Sequence, residues 1–158
     1  MTDRHPRHQD EAFPPVNKSN LRTVPATGLA KTEGFTLKVL LVDDYEPFRR
    51  FTSQTLQQRP GFQIVGEASD GLEAVRGAQE LKPDLILLDI GLSALNGIAA
   101  AQEIRKRVPQ AKIIFVSQES DPDIVQESLA SGGCAYVLKA RAATELLPVI
   151  DGVLAARY

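Results

Sequence analysis

The sequence contains little cysteine and no long apolar run, and each absence excludes a class of protein. Cys134 is the single cysteine among 158 residues, so an intramolecular disulfide is impossible and a disulfide-rich secreted scaffold is excluded. No apolar run approaches the roughly 20 residues that a membrane-spanning helix requires. The first residues also lack the apolar stretch of a signal peptide. We therefore expect a cytoplasmic protein that makes no contact with a membrane.

An excess of positive charge is also missing. The chain has 18 Lys and Arg residues against 20 Asp and Glu residues, which gives a formal net charge of −2. A chain with this balance has no bulk electrostatic attraction to nucleic acid or to anionic lipid. The sequence also reaches Tyr158 without a second, basic domain. We therefore expect no direct nucleic-acid binding by this chain.

The composition changes near residue 36. Residues 1–36 hold four of the ten prolines and both histidines, and their apolar residues follow neither the period of a strand nor that of a helix. This pattern predicts a disordered or poorly ordered leader. His5 and His8 could hold a metal, but solvated tail residues are the favoured interpretation because no further histidine or cysteine lies near them. Residues 37–158 are predicted to form one folded domain.

Five short apolar runs in the second part are typical of buried strands. Several are apolar throughout, which favours parallel strands covered on both faces over strands with one face in water. Each run is followed by a segment with helical periodicity, and the last segment contains Pro148, which predicts a kink or a late start. The predicted strands are 37–42, 62–66, 85–88, 113–116 and 135–138, and the predicted helices are 46–58, 71–81, 97–107, 122–131 and 142–156.

This alternation predicts an α/β fold, a doubly wound five-stranded parallel sheet with helices on both faces. Crossovers in such sheets are right-handed, so the carboxyl ends of all strands share one edge. Ligand sites lie outside that edge, at the point where the strand order reverses.

Reactive side chains follow four of the five runs. Asp43 and Asp44 follow the first run, Asp89 the third, Ser117 the fourth and Lys139 the fifth. Three carboxylates at one edge repel one another unless some are protonated or a cation enters, and a hard ion such as Mg²⁺ prefers oxygen ligands. A carboxylate can also attack phosphorus to give an aspartyl-phosphate, whose charge a metal and a lysine would neutralise.

Each of these residues also has a plainer interpretation. The Asp43–Asp44 pair could cap the following helix, Asp89 could merely end a strand, Ser117 could be a turn hydroxyl and Lys139 a solvated charge. Their convergence on one edge favours the chemical interpretation over four separate coincidences. The isolated Cys134 is interpreted as a small packing residue rather than a nucleophile.

The same residues lie in motifs that resemble the receiver domain of two-component response regulators, most like the receivers of LuxR-type regulators. VLLVDDYEPFR resembles the first strand with its acidic pair, and PDLILLDIGLSALNGI resembles the third strand with its phosphoacceptor. IIFVSQE resembles the fourth strand, and SGGCAYVLKA resembles the fifth strand with its aromatic residue and lysine. The resemblance covers about residues 37–156 and implies the flavodoxin-like (βα)5 fold.

The resemblance implies a chemical role for each residue at the edge. Asp89 would be phosphorylated by a sensor histidine kinase or a phosphotransfer protein. Asp43, Asp44 and Asp89 would hold Mg²⁺, helped by the backbone carbonyl of Gly91. Lys139 would pair with the phosphoryl group. The chain would then be a signalling switch and not a turnover enzyme.

The resemblance also implies how the switch operates. Ser117 would move toward the phosphoryl group, and Tyr136 would rotate inward as Ser117 vacates space. The changed surface would bind a partner or a second copy of the chain. Tyr136 alone would more often be a core aromatic. Pairing with the kinase is expected on exposed residues of the first helix, namely Arg49, Arg50, Gln54 and Gln57.

Two other functions stay open. A receiver-like scaffold that takes no phosphate remains possible because Gln118 follows Ser117 where a small residue is usual, and Ser93 stands where proline is usual. A haloacid-dehalogenase-like phosphatase is less favoured, because such enzymes place a second aspartate two residues after the nucleophile, where this chain has Gly91.

Overall fold

In the computed structural model, which describes residues 36–156, five strands alternate with five helices. Almost all of the predicted leader, including His5 and His8, lies outside the described residues. The elements are β1 (Leu37–Val42), α1 (Glu46–Leu56), β2 (Phe62–Ala68), α2 (Gly71–Leu81), β3 (Leu85–Leu88), α3 (Gly97–Arg107), β4 (Lys112–Ser117), α4 (Pro122–Ala130), β5 (Gly133–Leu138), a 3-10 turn (Lys139–Arg141) and α5 (Ala142–Ala155).

All five strands are parallel, in the spatial order β2-β1-β3-β4-β5. The chain runs outward from β1 to β2 and then returns to the other side of β1, so the order reverses between β1 and β3. This confirms the predicted doubly wound sheet and puts the expected ligand position outside the carboxyl ends of β1 and β3.

The core has one layer on each face of the sheet. Successive residues of a strand point to opposite faces, so Leu40 packs in one layer and Leu41 in the other. Small and branched residues of α2 and α3, such as Ala78 and Ile104, cover the first layer. Residues of α1 and α5, including Leu146, cover the second. The central strand β3 is buried on both faces, which is why its sequence is apolar throughout.

Three strands, namely β2, β4 and β5, are longer than the sequence predicted. Pairing with β1 extends β2 through Glu67 to Ala68, and pairing with β4 begins β5 at Gly133. Strand length follows the hydrogen-bonded ladder with the neighbouring strand, and that ladder continues past the apolar run that marked each strand. Cys134 is exposed on the edge strand β5, so its interpretation as a packing residue was wrong.

Local signals predicted the starts of the helices well. The Asp70 carboxylate accepts a hydrogen bond from the Glu73 N–H at 2.8 Å, and the Glu73 carboxylate accepts one from the Ser69 N–H at 3.0 Å, which confirms the capping arrangement at α2. α5 begins at Ala142 and continues through Pro148, so the proline does not delay it. Within residues 36–156, no helix is long and apolar enough to span a bilayer.

Candidate functional site

The carboxyl ends of β1 and β3 bring three carboxylates together. Asp43, Asp44 and Asp89 each present an oxygen, and these oxygens lie within 4.8 Å of one another. Asp43 and Asp89 are 4% and 6% exposed, whereas Asp44 is exposed. The Asp89 N–H donates to the Val42 carbonyl at 3.0 Å, so the β1–β3 ladder itself holds the two buried acids side by side.

Lys139 lies between the two buried acids. Its Nζ is 2.8 Å from Asp43 Oδ2 and 3.2 Å from Asp89 Oδ2, and only 12% of its side chain is exposed. The 3-10 turn that follows β5 delivers this lysine to the edge. One ammonium therefore faces three carboxylates, and the cluster keeps an excess of negative charge.

Burial and charge shift the acid–base properties of this cluster. Burial raises the pKa of Asp43, and the charge of Asp89 raises it further, while hydrogen bonds from Lys139 and the Tyr45 N–H act in the opposite direction. Burial lowers the pKa of Lys139, but the hydrogen bond to Asp43 and the two negative charges outweigh burial and raise it. The ammonium therefore stays protonated at neutral pH, and a further cation would relieve the remaining repulsion.

Backbone N–H groups fix one oxygen of each buried carboxylate. Asp43 Oδ1 accepts from the Tyr45 N–H at 2.9 Å, and Asp89 Oδ1 accepts from the Ile90 N–H at 2.7 Å. The second oxygen of each acid is thereby directed toward Lys139. In the described part of the chain, α1 begins at Glu46 without a side-chain cap, so the alternative of Asp43–Asp44 as a capping pair is wrong.

An open cleft gives access to the cluster. It is lined by residues from four loops at the carboxyl edge, namely Asp44, Tyr45, Asp89, Ile90, Gly91, Ser117, Gln118, Glu119 and Lys139. Gly91 is exposed at the rim, as is Gln118. The cleft is thus lined by four of the five residues that the strand-end pattern selected, and the fifth, Asp43, lies buried beside Lys139. Gln118, the long side chain that departs from the receiver pattern, also lines the cleft.

Ser117 and Tyr136 both bind the backbone of Glu119. The Ser117 hydroxyl, 3% exposed, accepts from the Glu119 N–H at 3.2 Å, and the Tyr136 hydroxyl donates to the Glu119 carbonyl at 2.7 Å. The Tyr136 ring stacks on Phe115 with centroids 6.2 Å apart and packs against the core. Burial raises the pKa of Tyr136. The backbone of Glu119 therefore contacts both residues, and the sequence contained no signal for it.

Two side chains of α1 also hold the site, in a way that the sequence did not indicate. The Phe48 ring lies under Lys139, with Nζ 4.7 Å from the ring centroid. Arg49 was expected to be exposed, but it turns inward and donates to Glu67 and to the Asp43 carbonyl. Each of these contacts joins α1 to a residue outside the helix, which helical periodicity cannot indicate. Arg50, Gln54 and Gln57 are exposed, as expected.

Known proteins resemble this chain over the same region. Residues 39–151 match the family described as the response regulator receiver domain. The transcriptional regulatory protein LiaR of Bacillus subtilis (strain 168) is 38% identical over 114 residues, which are 72% of this chain and 54% of LiaR. The chain thus spans about half the length of the curated relatives it matches.

Solved structures give the same result. A LuxR-family two-component response regulator from Aurantimonas sp. SI85-9A1 superposes with a TM-score of 0.73 at 31% identity, over 77% of this chain and 87% of that one. The response regulator domain of Thermotoga maritima CheB superposes with a TM-score of 0.72 at 34% identity, over 78% and 99%. The resemblance drawn from four sequence motifs is confirmed.

Proposed function

This chain belongs to the response regulator receiver family of two-component signalling, and we propose that Asp89 is its phosphoacceptor. The observation that carries the proposal is the position of Asp89. Asp89 lines an open cleft, its Oδ2 is 3.2 Å from the buried ammonium of Lys139, and two further carboxylates lie beside it. A nucleophile, a cation for the developing charge and candidate metal ligands therefore occupy one accessible site.

The chemistry follows from the oxygens of Asp89. Oδ1 is occupied by the Ile90 N–H, so Oδ2 would attack the phosphorus. The new O–P bond would replace the N–P bond of a phosphohistidine, and the histidine nitrogen would keep the electron pair and gain a proton. Lys139 would then shift its hydrogen bond from Asp89 to an oxygen of the phosphoryl group.

The donor set of the cluster fits Mg²⁺. Three carboxylate oxygens within 4.8 Å are the hard ligands that this ion takes, and the exposed Asp44 leaves room for the waters it retains. Asp43, Asp44 and Asp89 would hold the ion with the backbone carbonyl of Gly91. When bound, Mg²⁺ would neutralise charge on the phosphoryl oxygens.

The contacts of Glu119 suggest how the signal would leave the site. A phosphoryl group on Asp89 would accept a hydrogen bond from the Ser117 hydroxyl and draw it away from the Glu119 N–H, from which its oxygen now accepts. Moving that loop would change the hydrogen bond from Tyr136 to the Glu119 carbonyl and so alter the surface near α4 and β5. A partner protein or a second copy of the chain would read that surface.

We also propose the partners of this chain and its location in the cell. A sensor histidine kinase or phosphotransfer protein in the cytoplasm would supply the phosphoryl group and contact the exposed residues of α1, such as Gln54 and Gln57. The chain would act as a switch without turnover of an external substrate. We propose no direct contact of this chain with nucleic acid, since its charge is slightly negative.

A single substitution tests the phosphoacceptor. With acetyl phosphate and Mg²⁺, the wild-type chain should shift in a phosphate-affinity gel, and Asp89→Asn should not, because an amide oxygen is not nucleophilic enough to form the phosphoryl ester. Asp84→Asn, which changes an exposed acid at the other end of β3, is the matched control and should be labelled like the wild type. Labelling of Asp89→Asn would contradict the assignment.

The scaffold alternative is supported by Gln118, which lines the mouth of the cleft and could hinder a phosphodonor. Beryllofluoride mimics a phosphoryl group on aspartate, so its binding separates the two functions. The phosphoacceptor function requires Mg²⁺-dependent binding of beryllofluoride, observable by fluorine NMR. Absence of binding to the wild type and to Gln118→Ala alike would favour the scaffold.

A further inference from the structure

We infer that Arg49 is a positioning residue for the cation site, tying the turn that carries Asp43 and Asp44 to Glu67 on β2. The inference rests on the proposed function, because it concerns the Mg²⁺ site proposed there. Its basis is a pair of hydrogen bonds from one guanidinium, reaching two different parts of the chain.

The guanidinium of Arg49 uses two of its nitrogens to bind two acceptors at once. Its Nε donates to Glu67 Oε1 at 2.8 Å, and its Nη1 donates to the backbone carbonyl of Asp43 at 2.7 Å. Only 18% of the Arg49 side chain and 26% of the Glu67 side chain are exposed. Hydrogen bonds of this kind, charged and partly shielded from water, are stronger than those of exposed ion pairs.

The carbonyl that Arg49 holds belongs to the peptide joining two of the proposed ligands. β1 ends at Val42, and the Asp43 N–H makes the final ladder contact by donating to the Ala68 carbonyl at 3.0 Å. The Asp43 carbonyl lies beyond that ladder, so Arg49 is what fixes the plane of the peptide between Asp43 and Asp44. The direction of the exposed Asp44 carboxylate depends on that plane.

Glu67 makes the link rigid. It lies inside β2 and pairs with Leu41 of β1, so its backbone is part of the sheet. Arg49 therefore connects the acidic turn to the sheet rather than to another loop. Groups that orient metal ligands in this way commonly change metal affinity by about 10- to 100-fold when they are removed.

Calorimetric titration with Mg²⁺ on the unphosphorylated full chain tests the role without any phosphorylation. Arg49→Met keeps the aliphatic length of the side chain and removes both donors, and it should weaken Mg²⁺ binding by about tenfold. Arg107→Met is the matched control, since it removes an exposed ion pair with Glu103 at the far end of α3. The control should bind Mg²⁺ within about twofold of the wild type, the difference expected for a weak surface pair.

Two further variants separate positioning from a general loss of structure. Arg49→Lys keeps the charge but lacks the fixed pair of donors of a guanidinium, so it should recover only part of the affinity. Glu67→Gln keeps the acceptor and loses the charge, so it should weaken binding less than Arg49→Met. The double variant Arg49→Met/Glu67→Gln should be no weaker than Arg49→Met alone, because Glu67 acts through Arg49.

The outcomes are distinct. Mg²⁺ binding by Arg49→Met equal to that of the wild type would overturn the inference and leave the proposed function intact. So would strictly additive losses in the double variant. If Arg49→Met folds poorly, Arg49→Lys and Glu67→Gln take its place, and Mg²⁺ binding equal to that of the wild type in both would overturn the inference. A wild-type chain that binds no Mg²⁺ would overturn the proposed function and this inference with it.

Discussion

The two edges of the sheet contain the same kinds of ionic groups in opposite surroundings. At the carboxyl edge, Lys139 is 12% exposed and faces buried carboxylates. At the amino edge, Arg59 meets Asp151 at 2.6 Å, yet the two side chains are 38% and 50% exposed. Water screens the Arg59–Asp151 pair, so this pair contributes little to stability. The charges around Lys139 are buried, so removing one of them leaves its partner buried without compensation.

The difference in burial between the two edges identifies where this chain can do chemistry. A short distance alone does not mark the site, because the Arg59–Asp151 distance is shorter than either contact of Lys139. What marks it is an excess of buried negative charge that one lysine does not balance. An imbalance of this kind is costly to a fold and useful for binding a cation or a phosphoryl group.

Replacing Lys139 should have the largest effect on the contrast between the two edges. Without Mg²⁺, Lys139→Met would leave Asp43 and Asp89 buried without a cation, and the free energy of unfolding should fall by about 3 kcal/mol. Urea denaturation with a chelator present measures this loss. Arg59→Met, the matched change at the amino edge, should unfold like the wild type. Equal losses in the two variants would show that burial does not distinguish the edges.

The aromatic ring beneath the lysine should have a smaller effect. Phe48→Leu keeps an apolar side chain but removes the face that Lys139 Nζ approaches at 4.7 Å. A double-mutant cycle with Lys139→Met should give a coupling of about 1 kcal/mol in urea denaturation. Phe51→Leu, which changes the neighbouring ring 5.3 Å away, is the control. A coupling of similar size for Phe51 would mean that Phe48 contributes packing only.

The smallest expected effect concerns the half-buried phenol at the carboxyl edge. Burial raises the pKa of Tyr136, so the stability contributed by its neutral form is complete below the unfolded-state value of about 10. That stability is lost as the pH rises through the higher value in the folded state. Thermal melts above about pH 10 should therefore show a decline in the wild type that is weaker in Tyr136→Phe. If the stability of the wild type and of Tyr136→Phe declined equally, a group other than Tyr136 would cause the alkaline loss of stability.

The predictability of each element follows from its surroundings. The ends of β1 and β3 were predicted to the residue because these strands are central and buried on both faces, so hydropathy changes abruptly where they stop. The start of the edge strand β5 was missed because it is partly exposed and its length is set by pairing with β4. Capping residues predicted the start of α2 for a local reason, namely a hydrogen bond spanning three residues.

Hydropathy marks the strands locally, and their alternation with helices makes them parallel, so the sequence alone predicts the sheet and the acids, hydroxyl and lysine at one edge. The tertiary structure decided how those residues are held. It turned Arg49 inward to Glu67 and the Asp43 carbonyl, and it placed the Phe48 ring under Lys139. These contacts join separate elements, and their geometry depends on how the helices pack on the sheet. No local pattern contains that information.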